Sequence, residues 1–174
     1  MPGVFSIKPD PLELRQRAGR YWWVGAWLPA ALAVAVIARE STLLFSAVNT
    51  SSWLRPIFER VFGPFEDRHW DHLHMLIRKS GHFVGYGLVC FAFLRAWLLT
   101  LGRGANLSAG RWRAQSVGYA LAATFLVAGS DEWHQTFLPG RTGQFSDVLL
   151  DTVGGAVVCG LVWVRFWRGR SPQS

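Results

Sequence analysis

The chain has 174 residues, 51% of them apolar and only 17% charged, with ten Trp and a formal net charge of +7. A soluble domain carries about a quarter charged residues, and here the apolar residues gather into long blocks, which argues against a water-soluble globule. The length suits one compact unit, and the absence of any basic–aromatic nucleic-acid module in a chain of pI ≈ 10.4 argues against a nucleic-acid partner.

A bilayer core takes about 20 mostly apolar residues as a helix. The first such block, Tyr21 to Ala38, lies between Arg20 and Arg39. Its Ala33-Val34-Ala35 resembles a processing site, but the apolar stretch exceeds the roughly 7–15 residues of a signal core. Arg39 follows directly, as suits an anchor.

A polar stretch from Glu40 to Gly81 comes next, broken by Ser41, Asn49, Thr50, Ser51, Ser52, Pro56, Gly63 and Pro64. Two short mixed segments remain, Trp53 to Phe62 and Trp70 to Lys79. In the first, apolar residues recur at helical spacing opposite Arg55, Glu59 and Arg60, which predicts an interfacial helix packed as a lid over the helix ends. His69, His72 and His74 do not have the spacing of a zinc motif.

The second block, 82–101, contains only Arg95 as a charge and is entered through Arg78-Lys79-Ser80-Gly81-His82. His82 and Tyr86 share one helical face, where they can exchange protons near neutral pH. Gly81 and Gly85 would let a second helix approach. The third block, 114–130, runs into Ser130-Asp131-Glu132-Trp133-His134-Gln135, then a Pro139-Gly140 turn and Arg141. Asp131 and Gln135 share a face. In the fourth block, 147–166, Ser146 is placed to cap and Asp147 sits in the first turn.

Asp147 and Asp151 lie one turn apart and repel unless a cation separates them. Arg141 is the expected cation, with a bound metal as the alternative. Asp151 lies within a span, where a charge costs about 2.5–3.5 kcal/mol even on the mildest scale. It is therefore expected to face the interior with a partner. Cys90 and Cys159 both fall inside spans and are expected as free thiols. Trp22, Trp23, Trp97, Trp112, Trp133, Trp163 and Trp167 flank the blocks, where interfacial Trp is expected.

Lys and Arg orient the spans. The N-terminal tail, the loop after the second span and the C-terminal tail hold eleven of them against Asp10 and Glu13; the other side holds seven against nine acids. Positive residues stay inside. The expected organisation is a cytoplasmic tail (1–20), a four-helix membrane domain (21–167, spans about 21–38, 82–101, 114–130 and 147–166) and a second cytoplasmic tail (168–174). The fold class is an all-α membrane bundle with short interfacial helices in its long outer loop.

The run Arg78-Lys79, His82, Tyr86, then Asp131-Glu132-x-x-Gln135-x-Phe137-x-Pro139-Gly140-Arg141, then Ser146-Asp147, a polar residue at 151 and Gly154 resembles the VanZ-like membrane protein family. The resemblance spans the chain from first helix to fourth. The family pattern often has Asn at 151, where this chain has Asp. It implies a four-helix protein of the bacterial inner membrane, similar to proteins linked with resistance to glycopeptides such as teicoplanin. It implies no reaction.

Three readings stand open on the residues. In the first, Lys79, Tyr86, Gln135, Arg141 and Asp151 form a ligand site for an anionic lipid or lipid-linked precursor at the outer face. In the second, His82, Asp131, Glu132 and Asp147 do acid–base work as a hydrolase or transferase, or hold a divalent cation at Asp131, Glu132 and Asp147. In the third, the cluster only locks the helices of a scaffold. A homo-oligomer and an envelope protein partner are both compatible with the sequence.

Overall fold

A computed structural model describes residues 19–104, 107–139 and 141–168. Most of both expected tails, and Gly140 of the expected turn, lie outside the described residues. Among those described the chain is all-helical: α1 (Trp22–Glu40), a single 3-10 turn (Leu43–Phe45), α2 (Ala47–Phe62), α3 (Asp67–Gly104), α4 (Ala109–Gln135) and α5 (Phe145–Val162), which runs on as a π-helical turn (Trp163–Trp167).

Among the described residues, three helices are long and apolar enough to cross a membrane: α1, α3, and α5 with its final turn. The expected third span, 114–130, lies in α4, which is not among them. Gln115, Ser116, Tyr119, Thr124 and Ser130 dilute its apolar content on both faces. Trp112, Ser116, Ala120, Thr124, Ala128, Asp131 and Gln135 are buried at about one per turn, so the face toward the bundle is small and polar. Ser116 and Thr124 satisfy their hydroxyls on the carbonyls of Trp112 and Ala120, each at 2.8 Å.

α3 differs from expectation in length. Trp70–Lys79 is not a separate segment but the first turns of one 38-residue helix, about 57 Å long at 1.5 Å per residue. That exceeds a bilayer core of about 30 Å, so part of α3 projects. Ser80 and Gly81 do not stop it, because glycine only weakens a helix, whereas proline breaks it. α2 supports the projecting part. Trp70 is buried and donates Nε1–H to Ser51 Oγ at 2.6 Å. His74 stacks on Trp70 and lies 3.0 Å from the Thr50 hydroxyl. Arg55 bridges Glu59 and Asp67 at 2.8 and 2.7 Å.

α3 is the hub, packed on α5, α4 and α1, while α4 and α5 pack on each other. α3 and α5 run in the same direction and touch through glycine. A Cβ at Gly154 would collide with the Phe83 carbonyl; one at Gly155 would lie 3.0 Å from Cys90 Cβ, and one at Gly87 3.1 Å from Val158 Cγ2. The approach of α5 therefore uses these three glycines; of the two expected, Gly85 admits α1, where an added Cβ would lie 3.3 Å from Ile37 Cδ1, and an added Cβ at Gly81 would meet nothing. Cys90 and Cys159 meet across this contact as free thiols, Sγ to Sγ 3.7 Å, 69 residues apart in sequence. His82 and Asp151 share that offset.

Pro29 lies inside α1. Lacking an N–H, it leaves the Gly25 carbonyl without its helical donor. Arg95 fills the gap, with Nη1 donating to Gly25 at 2.9 Å and Ala26 at 3.2 Å. Arg95, the one charge of the second block, thus works within the helix packing. Trp112 and Trp167, expected at an interface, are instead buried in the core cluster, with the Trp112 indole N–H on the Leu98 carbonyl at 3.0 Å. Trp23, Trp133 and Trp163 are exposed, as are Leu32, Val36, Leu88, Leu126, Val153 and Leu161. Apolar side chains so widely turned outward suit a hydrocarbon solvent.

Gly154→Ala will lower the thermal midpoint of the detergent-solubilised protein by an amount matching the roughly 1–3 kcal/mol of core overpacking. Gly118→Ala, inside α4 with open space around its Cβ, will leave it unchanged or raise it slightly, since alanine favours a helix by up to about 1 kcal/mol.

Candidate functional site

At one end of the bundle, α1 and α4 terminate, α5 begins and the projecting part of α3 stands beside them. This end gathers the polar residues. The last turns of α4 bury Asp131, Glu132 and Gln135. Asp131 Oδ2 accepts from the Tyr86 hydroxyl at 3.1 Å and from Gln135 Nε2 at 3.0 Å. Tyr86 is completely buried, so its hydroxyl is committed to Asp131 and does not present itself to a ligand.

Glu132 reaches across to α5. Its Oε2 accepts the backbone N–H of Gln144, the residue before the helix, at 2.8 Å. A negative group at a helix start is favoured by the dipole, so Glu132 does the capping expected of Ser146. The approach requires glycine next door: a Cβ on Gly143 would overlap the Glu132 carbonyl.

α5 then presents its two carboxylates. Asp147 takes a 2.7 Å ion pair from Lys79. Asp151, one turn deeper, is 0% exposed. Its Oδ2 lies 3.6 Å from His82 Nδ1, beyond hydrogen-bond range. Both Asp151 oxygens and His82 Nδ1 are buried without a hydrogen-bond partner. The His82 ring stacks on Tyr86, centroids 6.2 Å apart.

Arg141 is not between the two aspartates. Its Nη2 donates to the carbonyls of Glu40, Thr42 and Phe45 at 3.2, 3.1 and 2.8 Å. Glu40 closes α1, and Thr42 and Phe45 lie at and in the 3-10 turn that follows it; carbonyls at such ends carry partial negative charge that draws a cation. Burial pulls the Arg141 pKa below its usual range, while Asp131 and Glu132 act in the opposite direction.

Between these groups lies a cavity of about 470 Å3, lined by Arg78, Lys79, His82, Glu132, Gln135 and Arg141 among others. Arg78 makes no hydrogen bond or ion pair with any described residue. The structure thus brings together His82, Glu132 and Asp151, each with one donor atom within 4.8 Å of the others. It does not gather Asp131, Glu132 and Asp147 as a metal set. His69 sits 3.3 Å from Glu66 with both exposed, and His74 contacts Thr50 and Trp70 while lining the cavity, so the three loop histidines are not gathered as a metal set. Gly143 and Gln144 went unremarked in the sequence; nothing in the local pattern marks a glycine that fits against a distant carbonyl.

The sequence pattern of the VanZ/LLP1 family matches residues 24–167, most of the chain, and the chain belongs to that family. Membership fits an envelope membrane protein related to antibiotic resistance. No curated protein and no solved structure matches the chain.

Arg141→Gln removes the donor shared by three carbonyls. Hydrogen bonds from a charged group contribute about 1.5–3 kcal/mol. Amides of residues 41–46 will therefore exchange faster by hydrogen–deuterium mass spectrometry, while those around Tyr86 stay protected.

Proposed function

We propose that this VanZ/LLP1 protein crosses the inner membrane four times, with both termini in the cytoplasm, and binds the anionic headgroup of a lipid or lipid-linked precursor in the cavity at its outer end. α4 would serve as the third of the four spans, its polar stripe shielded by α3 and α5. The distribution of Lys and Arg supports the orientation. A reporter active only in the cytoplasm, fused after Ser174, will be active; an inactive fusion would overturn the topology.

The headgroup reading rests on one observation: Arg78, without a hydrogen-bond or ion-pair partner among the described residues, lines the same cavity as Lys79 and Arg141. Guanidinium groups grip phosphate oxygens in a forked, charge-assisted geometry. Arg78 and Lys79 sit on the projecting part of α3, at the level where a headgroup would lie. Met75 and Leu150 add apolar wall to the cavity.

A second reading is favoured by His82 and Glu132, an imidazole and a carboxylate lining one cavity. Such a pair suits acid–base hydrolysis or transfer on the bound lipid. A protein that only scaffolds its neighbours is the remaining alternative.

Native mass spectrometry of gently purified protein, wild type beside Arg78→Gln, tests the headgroup reading. The expected result is a defined anionic lipid on the wild type, depleted several-fold on the variant, whose fold should survive because Arg78 holds nothing else in place. Equal retention would sink it and leave the charged cluster as a helix lock. Turnover of the retained lipid by wild type, abolished in Glu132→Gln, would establish the enzymatic reading.

A further inference from the structure

We infer that His82, Glu132 and Asp151 form a binding site for a single divalent transition-metal ion. Asp151 is sealed from solvent, yet neither of its oxygens receives a hydrogen bond. His82 Nδ1 faces it at 3.6 Å and is likewise unpartnered. An orphaned carboxylate inside a protein is costly, and each such group calls for a missing water or ion. Two ligands each about 2.0–2.2 Å from a shared ion stand about 3–3.6 Å apart, which matches the His82–Asp151 separation.

Charge points the same way. Asp131, Glu132 and Asp151 are all buried at this end. None makes an ion pair with Lys or Arg among the described residues. Lys79 is paired with Asp147, and Arg141 Nη2 is spent on backbone carbonyls. A divalent ion supplies the missing positive charge. Glu132 keeps Oε1 free for it while Oε2 caps α5. Asp131 is not part of the set: the donor atoms that gather within 4.8 Å are those of His82, Glu132 and Asp151, and Asp131 Oδ2 holds Tyr86 and Gln135 instead.

One imidazole and two carboxylates suit Zn2+ or Mn2+, whereas Mg2+ prefers oxygen ligands alone. Three protein ligands leave coordination positions open, as in catalytic metal sites. His82 and Glu132 both line the cavity, so an ion held there borders the space proposed for the headgroup. The site does not depend on the lipid reading.

The test uses the whole chain in detergent, stripped with a chelator, titrated with Zn2+ and Mn2+, and passed through a desalting column before elemental analysis. Wild type will retain a single equivalent. Asp151→Asn, close to isosteric, and His82→Ala, at a partly exposed position, will each lose more affinity than the roughly 10–100-fold seen when an outer-shell partner is removed. Asp147→Asn will retain the ion. No ion on the wild type above the detergent blank, or an ion retained by both Asp151→Asn and His82→Ala, overturns the site and leaves a bridging water. Lipid retention is a separate mass measurement, so failure of the metal site and failure of the headgroup reading cannot be confused.

Discussion

The close parallel contact of α3 with α5 is the constraint on which the rest hangs. Glycine at 87, 154 and 155 removes the Cβ atoms that would hold the two backbones apart. Two helices that close have little freedom to slide, and a fixed register follows. At one level it sets His82 against Asp151; two turns deeper it sets Cys90 against Cys159. Asp151 receives no hydrogen bond and faces only the His82 imidazole at 3.6 Å, so packing along the whole contact is what holds this carboxylate inside the bundle. α4 closes the third side and contributes Glu132 and Asp131.

α1 is attached differently. Its inward face is thin, and it relies on two arginines from other parts of the chain, each spent on backbone oxygen. Arg95 answers the carbonyl that Pro29 frees in mid-helix, and Arg141 answers those at the C-terminal end. Both are cases of a cation drawn to unpaired carbonyls with negative partial charge. Among the described residues, arginines such as Arg95 and Arg141 hold the fold, and Arg78, on the wall of the cavity, makes no hydrogen bond or ion pair.

Where the sequence carries a period, it was legible. The apolar blocks place α1 and α5 within a few residues, and four-residue spacing correctly puts His82 with Tyr86 and Asp131 with Gln135 on shared faces. A buried Asp151 with a nearby partner also followed from the cost of charge within a span. What was not legible depends on distant chain. The continuation of α3 back to Asp67 rests on α2 lying against Trp70 and His74. Trp112 and Trp167 read as interfacial because composition gives their position along a helix but not which side they face. Arg141 was matched to carboxylates because a sequence displays side-chain charge and hides the carbonyls of a helix end. For the same reason Glu132's role as a cap was not visible.

The Arg141 clamp also has a consequence for biogenesis. Its farthest partner, the Glu40 carbonyl, lies 101 residues upstream. A ribosome releases α1 long before Arg141 exists, so for most of synthesis the end of the first helix must leave its carbonyls to water or to the insertion machinery. The polar end consequently cannot assemble in the order in which it is translated. It is shut by the last third of the polypeptide, and a chain stalled before residue 141 carries an anchored but open bundle.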